Sequence, residues 1–249
     1  MDILFPWLGA LALGAILGFF GGVFGIGGGI IAIPILVLGY GMEQATAQGT
    51  ALVMMVPNLV LAWWRYTRHN PTGLSGGTVA VAAVATLTTW GAAYLAHDLD
   101  PGLLRLLFAG FLMVLGLGQW PARTENARPR LSARWMPLVG LAGGGSMGLL
   151  GIGGGLVATP FLTGLFGLGQ RAAQSIALAL VTPSAGAALW GYARHQSVDW
   201  PLGAALAAGG IVTVSAGVAL AHTFSERALR RAFGIMLVAT GAILIARAQ

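Results

Sequence analysis

The chain is a succession of apolar runs separated by short polar or glycine-rich breaks, at about 7–24, 30–40, 45–64, 77–96 and 102–119, then 136–150, 156–166, 172–193, 202–221 and 228–246. Runs of this length with so few charges predict membrane-spanning helices. The second run of each set is too short. About eleven residues of helix cover roughly 17 Å, against a hydrocarbon core of roughly 30 Å, so these two runs are expected to be half-helices that stop inside the membrane, or crossings completed by neighbouring helices. Irregular backbone at that depth must be buried in protein or line a polar cavity. Residues 120–135, with Arg123, Glu125, Arg128, Arg130 and Arg134, form the one polar stretch long enough to be a linker.

Each short run is led by the same five residues. Gly25-Ile26-Gly27-Gly28-Gly29 precedes Ile30 to Pro34, and Gly151-Ile152-Gly153-Gly154-Gly155 precedes Leu156 to Pro160, 126 positions on. The register holds beyond the motif: Gln44 falls on Gln170, Gln48 on Gln174, Pro57 on Pro183, Trp64 on Trp190, Tyr66 on Tyr192 and Arg68-His69 on Arg194-His195. After one deleted residue it resumes at 125, with Leu95-Ala96-His97 over Leu220-Ala221-His222, Phe108 over Phe233 and Gly116 over Gly241. One unit is duplicated. The organisation expected is repeat one over 1–119, a cytoplasmic linker over 120–135 and repeat two over 136–249.

Composition agrees and narrows the class. With 57% hydrophobic and 8% charged residues and a mean hydropathy of +0.82, the chain is far too apolar for a soluble domain, where about a quarter of residues are charged. Thirteen Arg and no Lys face seven acids; this excess clusters between apolar runs, as the positive-inside rule requires, and does not point to nucleic acid. An odd number of crossings per repeat puts ten Arg on one side against three, whereas fusing the first two runs gives eight against five. The odd count is preferred, so the repeats are expected to be inverted in an inner membrane, with both termini periplasmic. The first run lacks a basic leader and is expected to be a membrane segment, not a cleaved signal. Asp100-Pro101 and Ser225-Glu226 are helix starts for the last span of each repeat.

The chemistry available is restricted. There is no Cys, and His69, His97, His195 and His222 have no metal-ligand spacing, so no metal or cofactor is expected. No Ser, His and acid constellation recurs, and Glu43, Asp98, Asp100, Asp199 and Glu226 fall at span ends, so an enzyme is not expected. The glycine motif fails as a nucleotide site, because the sixth place of a dinucleotide fingerprint is Ile30 or Leu156 and no Gly-Lys-Ser/Thr follows. Close helix packing explains Gly14, Gly18, Gly21, Gly22, Gly110 and Gly116. For the two five-residue motifs it is less sufficient, since three successive glycines cost a helix roughly 1 kcal/mol each. A break whose half-helix amides face an anion is the functional reading.

The expected binding residues are Gly25, Gly27, Gly28 and Gly29 with Gly151, Gly153, Gly154 and Gly155, joined by polar residues of the third run of each repeat: Gln48, Thr50 and Asn58, and Gln174, Ser175, Thr182 and Ser184. Pro57 and Pro183 are expected to break those helices in the same place. Trp64, Trp190, Tyr66 and Tyr192 are assigned to the interfacial belt, and Arg68-His69 and Arg194-His195 to helix-end anchors.

The doubled Gly-Ile-Gly-Gly-Gly, followed by a short apolar run with Pro34 or Pro160 and then by Gln48-Gly49-Thr50 or Gln174-Ser175-Ile176, resembles the TauE/SafE family of sulfite exporters and toluenesulfonate uptake permeases. The resemblance covers nearly the whole chain. It implies an inner-membrane transporter of sulfite, sulfonates, sulfoacetate or related sulfur-containing anions. Repeat two departs from the pattern at Ser175-Ile176, where a hydroxyl is lost. The partners implied are a small anionic organosulfur substrate and the lipid bilayer, with a homo-oligomer left open; a non-transporting assembly or receptor subunit is the alternative from another class.

Overall fold

A computed structural model describes residues 4–24, 28–69, 76–118, 131–168, 170–195, 197–221 and 226–246. All regular structure among them is helical: α1 (Leu4–Phe24), α2 (Gly29–Gly39), α3 (Gln44–His69), α4 (Gly76–Asp98), α5 (Pro101–Leu117), α6 (Pro137–Leu150), α7 (Gly155–Gly164), α8 (Gln170–Arg194), α9 (Trp200–Ala221) and α10 (Glu226–Ala246), with a 3-10 turn at Ala133–Trp135 before α6. This is the all-α, ten-segment architecture that the apolar runs predict. In hydrocarbon each backbone amide and carbonyl must find its partner within the chain, and the helix is the local way to satisfy that. α4, the Ser175–Arg194 part of α8 and Trp200–Gly217 of α9 are long and apolar enough to cross a membrane by length and composition. Large apolar side chains turned outward, among them Leu87, Val114, Val212 and Ile235, give the bundle a surface suited to lipid.

The second run of each repeat forms a short helix. α2 has 11 residues and α7 has 10, roughly 16 and 15 Å at the helical rise. Asp100 starts α5 as expected, its Oδ1 accepting from the amides of Gly102 at 2.9 Å and Leu103 at 3.0 Å. One expectation fails: α3 and α8 run through Pro57 and Pro183 without a break. A proline deletes one backbone bond and leaves one carbonyl short, which a packed membrane helix tolerates when neighbouring helices hold it straight. Gly25, Gly27, Ser225 and the linker up to residue 130 lie outside the described residues.

Helices pair mainly across the repeats. α1 lies along α9 and α6 along α4, while α3 pairs with α8 and α5 with α10. The first helix of each repeat thus packs on the fourth helix of the other, and the third and fifth helices pair with their own counterparts. Side-chain-free positions make these approaches. A Cβ on Gly14 would collide with the backbone of Leu206, and one on Gly18 with Gly210; in the other half, Gly140 meets Val81 and Gly144 meets Ala85. At registers of 126 and 125 these are the same pairs. Gly116 against Gly234 and Gly241 against Ala109 repeat the pattern between α5 and α10. Gly110 does not belong with them, since a Cβ there would meet nothing within 4 Å.

Candidate functional site

α6 ends at Leu150, where Gly151 closes it in the left-handed conformation at φ 64°, its amide donating to the Met147 carbonyl at 3.0 Å. Glycine adopts that conformation without strain. Four residues later α7 begins, so the end of one helix, the start of another and four unwound residues lie together inside the bundle. The first turn of α7 is tight: Leu156 donates to the Gly153 carbonyl at 3.0 Å and Val157 to that of Gly154 at 3.2 Å. Any amide that this helix end offers an anion therefore comes from Ile152 to Gly155.

The motif glycines divide by role. Gly154 sits against the backbone of Gly143 on α6, and its counterpart Gly28, at φ 83°, sits against the Leu17 carbonyl of α1. Gly29 lies on Met55 of α3, and Gly155 on Val181 of α8. These four let the short helices close onto their neighbours, so packing accounts for them. Gly151 is different, because what it faces is Gln48 of the other repeat: a Cβ on Gly151 would stand 3.1 Å from Gln48 Cβ and 3.3 Å from its Cγ.

Gln48 is wholly buried. Its Oε1 accepts from the Tyr192 hydroxyl at 2.6 Å; its Nε2 has no hydrogen-bond partner. Tyr192 is only 2% exposed, and its hydroxyl oxygen also lies 3.1 Å from the Gly148 carbonyl and 3.3 Å from that of Leu149. Assignment of Tyr192 to the interfacial belt is overturned. Trp190, two residues earlier, is 58% exposed with the Arg194 guanidinium 5.1 Å above its ring, so it fits the belt. Aromatic residues two apart on a helix point to different faces, and here one faces the core.

Other buried polar atoms line the same helices. Gln44, one turn before Gln48 on α3, has neither Nε2 nor Oε1 paired; further along, both amide atoms of Asn58 and the Ser184 hydroxyl are also unpaired. Asn58 and Ser184 are register counterparts, each following the proline of its helix. Gln44 was not among the sequence candidates, although its duplication at Gln170 was visible. Thr50 and Thr182 are already engaged: Thr50 Oγ1 accepts from the Asp199 amide at 3.0 Å, fixing the segment that leads into α9, and Thr182 donates to the Leu178 carbonyl at 2.8 Å. Ser175 lies on α8, half-buried; Gln174 is on the same helix, its side chain outside the described residues.

The histidines are less scattered than their spacing suggests. His97 at the end of α4 stacks on His195 at the end of α8, with ring centroids 4.0 Å apart, and Tyr94 meets His195 edge-on at 4.7 Å. Among the described residues no group of three His, Cys, Asp or Glu side chains that could hold a metal is present. Two apolar grooves open on the surface, one over Pro34, Leu38 and Ile243, the other over Pro57, Trp64 and Ile211. Neither reaches Gln48, which is closed off from solvent.

Helices with apolar outer faces are those of a polytopic membrane protein. Residues 10–244 match the family model described as sulfite exporter TauE/SafE, and the chain belongs to that family. It is 28% identical to a "probable membrane transporter protein" of Xylella fastidiosa strain 9a5c, covering 94% of this chain and 93% of that one. Another probable membrane transporter protein, from Methanocaldococcus jannaschii, is 26% identical over 64% of this chain and 62% of its own length. No solved structure matches this one.

Proposed function

We propose that the protein carries sulfur oxyanions, sulfite and organosulfonates, across the inner membrane through a midplane site between two inverted repeats, with both termini periplasmic. The observation that supports this most directly is the unpaired Nε2 of Gln48, buried at the unwound segment after α6. A donor left without a partner in the interior costs about 1–3 kcal/mol, and a ligand oxygen is the natural acceptor for it. Gln44, Asn58 and Ser184 add further unpaired atoms along α3 and α8, and the amides of residues 152–155 add backbone donors at a helix start. By the register of 126 in the sequence, Gln174 and Gly25 are the counterparts of Gln48 and Gly151. Neutral donors suit a carrier, because they compensate a dehydrated anion without holding it as a buried arginine would.

On this reading Gln48, wholly enclosed, can meet a solute only after a conformational change. Opening to either side requires the repeats to move against each other around the site.

The test is flux in proteoliposomes with sulfite, methanesulfonate and a monovalent cation of similar size. Anions are expected to move and the cation not. Gln48→Leu should weaken anion binding by about tenfold or more, the loss of one hydrogen bond to a charged group, while the protein still inserts. Cation flux without anion flux, or a Gln48→Leu variant equal to wild type for every anion, overturns the reading.

A further inference from the structure

A carboxamide has two opposite faces of nearly the same shape, a carbonyl that accepts and an NH2 that donates, and half a turn about its last bond exchanges them. A glutamine that serves an anion must therefore be held with its donor toward the ligand. At Gln48 the holding group comes from the other repeat. The polar atoms around the Tyr192 hydroxyl are three acceptors, Gln48 Oε1 at 2.6 Å and the carbonyl oxygens of Gly148 at 3.1 Å and Leu149 at 3.3 Å. The phenol supplies one proton, and the shortest contact takes it. A reversed amide would donate to the phenol oxygen and turn its carbonyl, an acceptor, toward the ligand. The NH2 of Gln48 is instead left buried and unpaired.

We propose that Tyr192 is the specificity-determining positioning residue of the site: by donating to Gln48 Oε1 it locks that amide donor-outward and makes the site select oxyanions over neutral solutes of the same shape. The proposal rests on the reading of Gln48 as a substrate donor. It also links recognition to conformation, since the same phenol touches α3, the end of α6 and, through its own backbone, α8. Separation of these helices breaks the lock. The site then loses its preference for anions at the moment when release requires it.

Removing only the hydroxyl tests this. Purified wild type, Tyr192→Phe, Gln48→Leu and the double variant are compared for binding of sulfite and of neutral dimethyl sulfone, measured as ligand-induced thermal stabilisation at a series of concentrations. Tyr192→Phe is expected to weaken sulfite binding by about tenfold, with a smaller loss for dimethyl sulfone, whose neutral oxygens accept more weakly. In the Gln48→Leu background the same substitution is expected to do nothing further, because the lock has no amide left to hold. Equal sulfite binding by wild type and Tyr192→Phe, an equal loss for both ligands, or losses that multiply in the double variant would each make Tyr192 merely structural and overturn the proposal while leaving the anion site standing. A wild type that responds to neither sulfite nor methanesulfonate removes the anion reading itself, and this proposal with it. Should Tyr192→Phe fail to fold, 3-fluorotyrosine at position 192 decides: it keeps the ring and makes the phenol a stronger donor, so sulfite binding should tighten relative to dimethyl sulfone, and sulfite binding unchanged or weakened overturns the proposed orientation.

Discussion

Glycines of identical appearance in the sequence do unlike things in this protein. Gly144 lies where α6 crosses α4, with the backbone of Ala85 in the space a Cβ would need, whereas Gly110 on α5 has nothing within 4 Å of that point. Gly144→Ala should therefore destabilise by about 1–3 kcal/mol through overpacking, and Gly110→Ala should stabilise by up to about 1 kcal/mol through helix propensity. Thermal unfolding in detergent separates the two, and equal shifts would contradict the packing assigned to Gly144. Polar residues divide in the same way. Thr182 and Gln48 are both polar positions on pseudo-equivalent helices, yet Thr182 bonds its own helix at Leu178, while Gln48 keeps an unpaired donor in the interior. Residue type shows the capacity to bond; only the neighbours show what remains unused.

At the scale of elements, local signals worked wherever a boundary was set by local chemistry. The Asp100-Pro101 start of α5 is a side-chain cap with two hydrogen bonds and a proline at a position that lacks a partner anyway. Asp100→Ala should cost about 1 kcal/mol, read as a lower unfolding temperature with transport retained; an unchanged temperature would show that tertiary contacts, and not the cap, hold this end. The short helices α2 and α7 were equally legible, because three consecutive glycines disfavour a helix. Pro57 and Pro183 misled, since the loss of one bond breaks a helix only where water or another strand of backbone can replace it. α3 and α8 nonetheless continue through them.

For the whole molecule, the exchange of partners between repeats governs what moves. α1 belongs in sequence to the first repeat and packs with the second; α6 does the reverse. Gly14→Leu and Gly140→Leu strike counterpart crossings, at Leu206 and Val81, and should lower stability to a similar extent. Orientation in the membrane has its own test. The chain has no cysteine, so single cysteines at positions 2, 128 and 249 can be labelled without background. Labelling from the periplasm at 2 and 249, and from the cytoplasm at 128, is expected; termini on opposite sides would sink the inverted arrangement.

The sequence by itself determined the membrane class, the duplication, the helix boundaries to within a few residues and the two glycine breaks, because apolar length, helix caps and consecutive glycines act over one or two turns of chain. It also marked Gln48, whose polarity in an apolar run is unusual wherever the residue lands. What it did not determine is who meets whom. That Gln48 of one repeat rests on Gly151 of the other, that Tyr192 turns inward while Trp190 turns out, and that His97 stacks on His195 all depend on helices separated by dozens of residues being brought side by side. In a bilayer no hydrophobic gradient selects among apolar faces, so helix partners are chosen by shape, by small residues that admit a close backbone and by the few polar groups that need one another. Those choices are properties of pairs of surfaces, and a single run of residues carries only half of each.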